Sequence, residues 1–99
     1  MIKMLIKDLK NVLNVFFANQ QIKELSTEFK EPLLLTEKEL EEVTGNYDYK
    51  NESRYEDIHM LEYNYREFNN IISKLEITYI KKDNKIAITE IHLWRKYEK

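Results

Sequence analysis

Glu76 and Glu90, with Lys74 or Lys81 close by in sequence, are the side chains of this chain that come nearest to a catalytic set. Acidic groups and a lysine converging from neighbouring strands would hold a divalent cation and cleave a phosphodiester, as in metal-dependent nucleases. The spacing is generic, and a solvated strand face accounts for it equally well. His59 lies near Glu56, Asp57 and Glu62 in sequence, but with His92 it makes only two histidines, and the chain has no cysteine. Zinc and iron–sulfur sites need clusters of these residues. His92 and Trp94 read as a packed aromatic pair on one strand face, because no serine or cysteine nucleophile pattern accompanies the histidine. Gly45 is the single glycine, whereas phosphate-cradling loops need several. These scarcities favour a protein that binds over one that transforms, with no cofactor and no metal.

The charge pattern offers a binding surface. Between Glu37 and Glu62 there are nine carboxylates against three basic groups, Lys38, Lys50 and Arg54. Glu37, Glu41, Glu42, Asp48, Glu52, Glu56 and Asp57 are the candidate partner contacts. The ends are basic, with Lys3, Lys7 and Lys10 at one and Arg95, Lys96 and Lys99 at the other. Such an uneven field steers a basic partner surface, for instance one built to hold nucleic acid. The lysines of the first helix and the basic tail keep a nucleic-acid-binding module open as an alternative. Tyr47, Tyr49, Tyr63 and Tyr65 fall in the same region. Tyrosine is rigid, large and polar at its tip, so exposed rings here make a homodimer interface the first candidate.

The elements that must position these residues follow from periodicity. Ile2, Leu5, Ile6, Leu9, Val12, Leu13, Phe16 and Phe17 recur at helical spacing, predicting a helix over 3–18. From Ile22 to Phe29 the period is two, which predicts a half-buried strand that Pro32 ends. Thr36 and Glu39 form a capping box, and Gly45 closes a short helix over 37–44. Residues 46–57 lack a period and read as a loop, with an extended part at Tyr47–Tyr49. Alternation over 58–68 predicts a strand. Leu75, Ile77 and Tyr79 lead into an Asp83–Asn84 turn and a return strand over 86–94. A regular two-residue hairpin pairs Tyr79 with Ile88, Ile77 with Glu90 and Leu75 with His92, partly covering both sheet faces.

At 99 residues there is one α+β domain, 1–99, and one core. The order α-β-α-β-β-β predicts a mostly antiparallel four-stranded sheet with two helices on one face. The net charge of −2 gives no whole-molecule field toward nucleic acid or membranes. No apolar run reaches the ~20 residues needed to span a bilayer.

Two stretches resemble the type I-D anti-CRISPR proteins of rod-shaped and filamentous viruses of hyperthermophilic archaea. The first runs from Leu9 to Val43 and carries Leu13, Val15, Phe17, Asn19, Ile22-Lys23-Glu24-Leu25, Phe29, and Thr36-x-x-Glu39 with Glu41. The second is the terminal hairpin ending His92-Leu93-Trp94-Arg95-Lys96. Together they cover about half the chain. Abundant Lys, Glu, Ile and Tyr with a single glycine suit a thermostable protein, and the resemblance implies a compact homodimer related in topology to the ferredoxin fold. It also implies a role in the host cytoplasm: binding the large subunit of the type I-D effector complex and blocking its action on viral DNA, with no catalytic residue.

Overall fold

The computed structural model describes residues 6–19, 21–67 and 71–97. The order is α1 (Ile6–Ala18), β1 (Glu24–Leu35), α2 (Glu37–Thr44), β2 (Tyr49–Tyr55), β3 (Ile58–Arg66), β4 (Ile71–Lys82) and β5 (Lys85–Tyr97). All five strands form one sheet, ordered β1-β5-β4-β3-β2, and every pairing is antiparallel. The expectation of four strands in the order α-β-α-β-β-β is therefore corrected to five, in the order α-β-α-β-β-β-β. The extra strand is β2, where a loop was expected. Its seven residues are exposed throughout, so no hydrophobic alternation marks it. The ferredoxin relationship falls too. β2 to β5 form a simple meander, and α2 joins the two edge strands, leaving no parallel crossover.

Helix α1 turns Leu9, Leu13 and Phe16 inward, as its spacing predicts; Ile2 and Leu5 lie outside the described residues. Thr36 accepts from the Glu39 amide at 3.1 Å, and the Glu39 carboxylate accepts from the Thr36 amide at 2.9 Å. Gly45 ends α2 at φ 67°, ψ −143°, a conformation that side chains resist. Leu40 and Val43 bring α2 down onto the sheet. These side chains form one cluster with Leu33, Leu35, Leu61, Tyr63, Leu75, Ile77, Ile88, Ile91 and Leu93. Each such burial is worth about 1.5–3 kcal/mol before chain entropy is charged against it.

Two irregularities set which residues face the helices. Strand β1 does not stop at Pro32. Between the pairs Glu28–Glu90 and Leu33–Ile88 it bulges away from β5, and Pro32 sits in the bulge. An edge strand needs no amide hydrogen there, so the proline is tolerated. The second bulge is at Thr89 on β5. Tyr79 pairs with Ile88 as expected, but beyond Thr89 the partners are Ile77–Ile91 and Leu75–Leu93. The expected Ile77–Glu90 and Leu75–His92 pairs are thereby corrected. One extra residue turns Ile91 and Leu93 into the core and Glu90 and His92 out of it. The Thr89 hydroxyl donates to the Thr78 carbonyl at 3.3 Å. The Asp83–Asn84 turn is as expected, both residues at positive φ.

Candidate functional site

The acidic residues of 37–57 do not form one patch. Glu37, Glu41 and Glu52 border a groove of about 290 Å³ between α2 and strands β2 to β4, floored by Tyr63 and Tyr79. Glu42 and Asp48 line a different cavity with Lys10, Tyr65 and Arg66. Asp57 lies with Arg54 and His59. Glu56 occupies the β2–β3 turn at positive φ, and its carbonyl accepts from Arg54 Nε at 2.8 Å.

The groove is largely self-satisfied. Lys50 Nζ lies 3.3 Å from Glu41 Oε1. Burial works against the Lys50 charge, and the hydrogen bond and charge of Glu41 outweigh it, so its pKa is raised. The Tyr79 hydroxyl donates to Glu52 at 3.2 Å, and His59 stacks on the Tyr79 ring at 4.9 Å. Burial, then the nearby Glu52 carboxylate, pushes the Tyr79 hydroxyl up to about 12. Tyr63 is fully buried and packs edge-on to Tyr47 at 4.9 Å; its hydroxyl has no hydrogen-bond partner among the described residues. Tyr65 is half-buried against Phe17 and donates to the Thr44 carbonyl at 2.6 Å. Of the four tyrosines expected at an interface, Tyr63 is core, Tyr47 and Tyr65 are half-buried, and Tyr49 is exposed.

Both helices pack on the same face of the sheet. The register places a second set of side chains together on the opposite face, which neither helix covers. Reading across the strands, Glu28 stands opposite Glu90. In the next row, Ser26, His92, Glu76 and Glu62 are successive neighbours. Below them, Glu24 is paired with Trp94, which is paired with Lys74. Five glutamates therefore share this face. Two side chains answer them directly: Lys74 Nζ at 3.0 Å from Glu62, and His92 Nε2 at 2.6 Å from Glu24. His92 also stacks on Trp94, as the sequence suggests, with ring centroids 4.6 Å apart. Glu28–Glu90 and Glu62–Glu76 are like charges directly opposite, an arrangement that costs stability. At one end of the face, Leu34, Ile58 and Tyr55 present exposed apolar surface.

Glu76 and Glu90 do share a face, but Lys74 turns to Glu62, and Lys81 falls on the opposite side by strand alternation. Among the described residues no group of three or more acidic or histidine side chains could hold a metal ion. Glu24, Glu28 and Glu62 were missed as site residues because they are spread along the sequence; only the pairing unites them.

A family model described as "Protein of unknown function (DUF1374)" matches residues 5–96. The chain is 41% identical over 92 residues to Uncharacterized protein 14 of Sulfolobus islandicus filamentous virus, covering 93% of this chain and 81% of the relative. It is 32% identical over 90 residues to Uncharacterized protein 95 of Sulfolobus islandicus rod-shaped virus 1, covering 91% and 95%. The solved structure of ORF14 from the filamentous virus superimposes with a TM-score of 0.86 at 39% identity, over 97% of this chain and 90% of that one. The "thermo- and acido-stable ORF-99 from the archaeal virus AFV1" gives 0.82 at 28% identity, over 93% and 95%.

Proposed function

The chain belongs to the DUF1374 family, which includes proteins of archaeal filamentous and rod-shaped viruses, and we propose that it acts in the infected cell as a non-enzymatic inhibitor. It docks on a basic, nucleic-acid-handling surface of a host defence complex and occludes it. The resemblance to type I-D anti-CRISPR proteins points to the large subunit of that effector as the partner. The open sheet face, rather than helix α2, is the docking surface.

One observation carries this reading. The chain keeps Glu28 against Glu90 and Glu62 against Glu76 on the face that neither α1 nor α2 covers. Like-charge pairs across strands are destabilising, and replacing either member would relieve them. A basic partner converts that internal cost into attraction. The apolar end at Leu34, Ile58 and Tyr55 supplies the desolvated contact that a charged surface alone lacks.

The test is capture of the purified large subunit by the wild type and two charge-reversed variants. Glu76→Lys with Glu90→Lys abolishes capture. Glu41→Lys with Glu42→Lys, on α2, leaves it intact. The opposite pattern would move the site to the helical side, and no capture by any form would remove the proposed partner.

A further inference from the structure

The groove between α2 and strands β2 to β4 already holds one ammonium group. Lys50 Nζ stands 3.3 Å from Glu41 and 5.8 Å over the Tyr47 ring. A carboxylate on one side and an aromatic face on the other are the surroundings an alkylammonium ion prefers. A second set of such groups lies next to it. Glu52 on β2 accepts from the Tyr79 hydroxyl at 3.2 Å, with His59 Nδ1 3.7 Å away. Glu37, at the start of α2, borders the same stretch, and its charge acts on the same hydroxyl. Among the described residues no lysine or arginine forms an ion pair with Glu37 or Glu52.

The independent observation is the Tyr63 hydroxyl. Tyr63 lies in the floor of the groove, 0% exposed, and its hydroxyl has no hydrogen-bond partner among the described residues. An unsatisfied buried hydroxyl is unfavourable in itself, and phenylalanine would fill the same space without it. Beside it, Leu61 and Ile86 give the floor an apolar strip. The groove measures about 290 Å³, near the lower limit for small-molecule sites.

We propose that this groove binds a primary alkylammonium group, seated between Glu37 and Glu52 over Tyr79, with its stem along Leu61 and Ile86 and the Tyr63 hydroxyl as a hydrogen-bond partner. Lys38 and Lys81 at the rim oppose a second positive charge on the same ligand. A free monoamine and a lysine side chain of a polypeptide share this chemistry. The groove is on the helical side of the sheet, away from the open face, so the inference does not depend on the inhibitor reading.

Nuclear magnetic resonance of ring-labelled tyrosine at low salt tests it, with n-butylamine as the probe. The Tyr63 and Tyr79 signals shift with half-saturation at about 1 mM, the range open to a charged ligand of few atoms. 1-Butanol, which has the stem without the charge, binds at least about tenfold more weakly. Glu52→Gln keeps an acceptor for Tyr79, removes the charge, and weakens butylamine binding about tenfold. Tyr63→Phe also weakens it, yet melts no lower than wild type because the unpaired hydroxyl is gone. Glu76→Gln, on the open face, leaves it unchanged. Tighter binding of Nα-acetyl-lysine methylamide than of butylamine assigns the group to a polypeptide lysine, and the reverse to a free amine; either supports the site. No shift far above the expected half-saturation, equal shifts with 1-butanol, or an equal loss in Glu76→Gln would overturn it. So would full binding by both Glu52→Gln and Tyr63→Phe.

Discussion

The Arg95 guanidinium lies over the Phe16 ring, 4.0 Å from its centroid, and donates from Nη2 to the Phe16 carbonyl. Its Nη1 donates to the carbonyls of Asn19 and Ile22, and its Nε lies 3.1 Å from Glu67, which also accepts from Ser73 at 2.6 Å. The last turn of α1 has no basic residue of its own, so strand β5 supplies the cation at the helix C-terminus. With 1% of its side chain exposed, Arg95 pins α1 to the sheet through a planar fork that lysine cannot reproduce.

Removing that fork leaves the half-buried Glu67 carboxylate without its cation, with Ser73 alone to donate to it, and removes the side-chain donor shared by the Phe16, Asn19 and Ile22 carbonyls. Arg95→Ala is expected to cost about 3–5 kcal/mol in denaturant unfolding. Arg95→Lys keeps the charge, loses the geometry, and falls between that variant and the wild type. Equal midpoints for wild type and Arg95→Ala would show that the network contributes nothing.

The ends of α2 should each contribute separably. Thr36→Ala removes one capping-box hydrogen bond and should lower stability by about 1 kcal/mol. At Gly45 an added Cβ meets nothing within 4 Å, so any loss on Gly45→Ala comes from backbone strain at positive φ. That loss should be roughly 1–3 kcal/mol. Thermal melts of the two single variants and the double variant read both values.

Much of this fold was legible. The helical spacing of α1, the Thr36–Glu39 box and the Asp83–Asn84 turn act within a few residues, so the sequence displays them directly. Strand β2 was not legible, because Tyr49–Tyr55 buries nothing on either side and has no apolar period to read. The Thr89 bulge was invisible because the turn beside it permits regular pairing. Only the buried volume of Ile91 and Leu93 selects the shifted register. The acidic face depends on that bulge and on pairing between distant strands. It draws Glu24 and Glu28 from β1, Glu62 from β3, Glu76 from β4 and Glu90 from β5, whereas composition drew attention to the dense tract at 37–57.

Deleting Thr89 should make this dependence measurable. Without the extra residue, continuing the Tyr79–Ile88 register brings Glu90 opposite Thr78, Ile91 opposite Ile77 and Leu93 opposite Leu75, the same pairs that the bulge now secures. No carboxylate is turned inward, so the deletion variant is expected to keep a native-like near-ultraviolet circular dichroism spectrum and to lose only the Thr89 hydroxyl's bond to Thr78, about 1 kcal/mol. An unfolded or molten deletion variant would mean that the bulge does more than set this pairing.

The buried tyrosines set an alkaline limit. Burial, followed by nearby charges, raises the hydroxyls of Tyr63 and Tyr65 well above the ordinary value of 10.0, and Tyr79 to about 12. A group with a raised folded-state pKa contributes fully below its unfolded pKa and loses that contribution as pH rises through the folded one. Stability should therefore fall as pH rises from 10 toward 12, with these tyrosines ionising together with unfolding. Ultraviolet absorbance of tyrosinate followed alongside far-ultraviolet circular dichroism checks it. Ionisation of all seven tyrosines near pH 10 with the fold intact would contradict it.

The open face is most directly tested by calorimetric titration of the type I-D large subunit with wild type and a Glu28→Gln, Glu76→Gln, Glu90→Gln variant. Neutralising these groups relieves Glu28–Glu90 and Glu62–Glu76 repulsion, so the variant should melt no lower than wild type while binding at least about tenfold more weakly. Equal affinity for both proteins would contradict the docking role of this face.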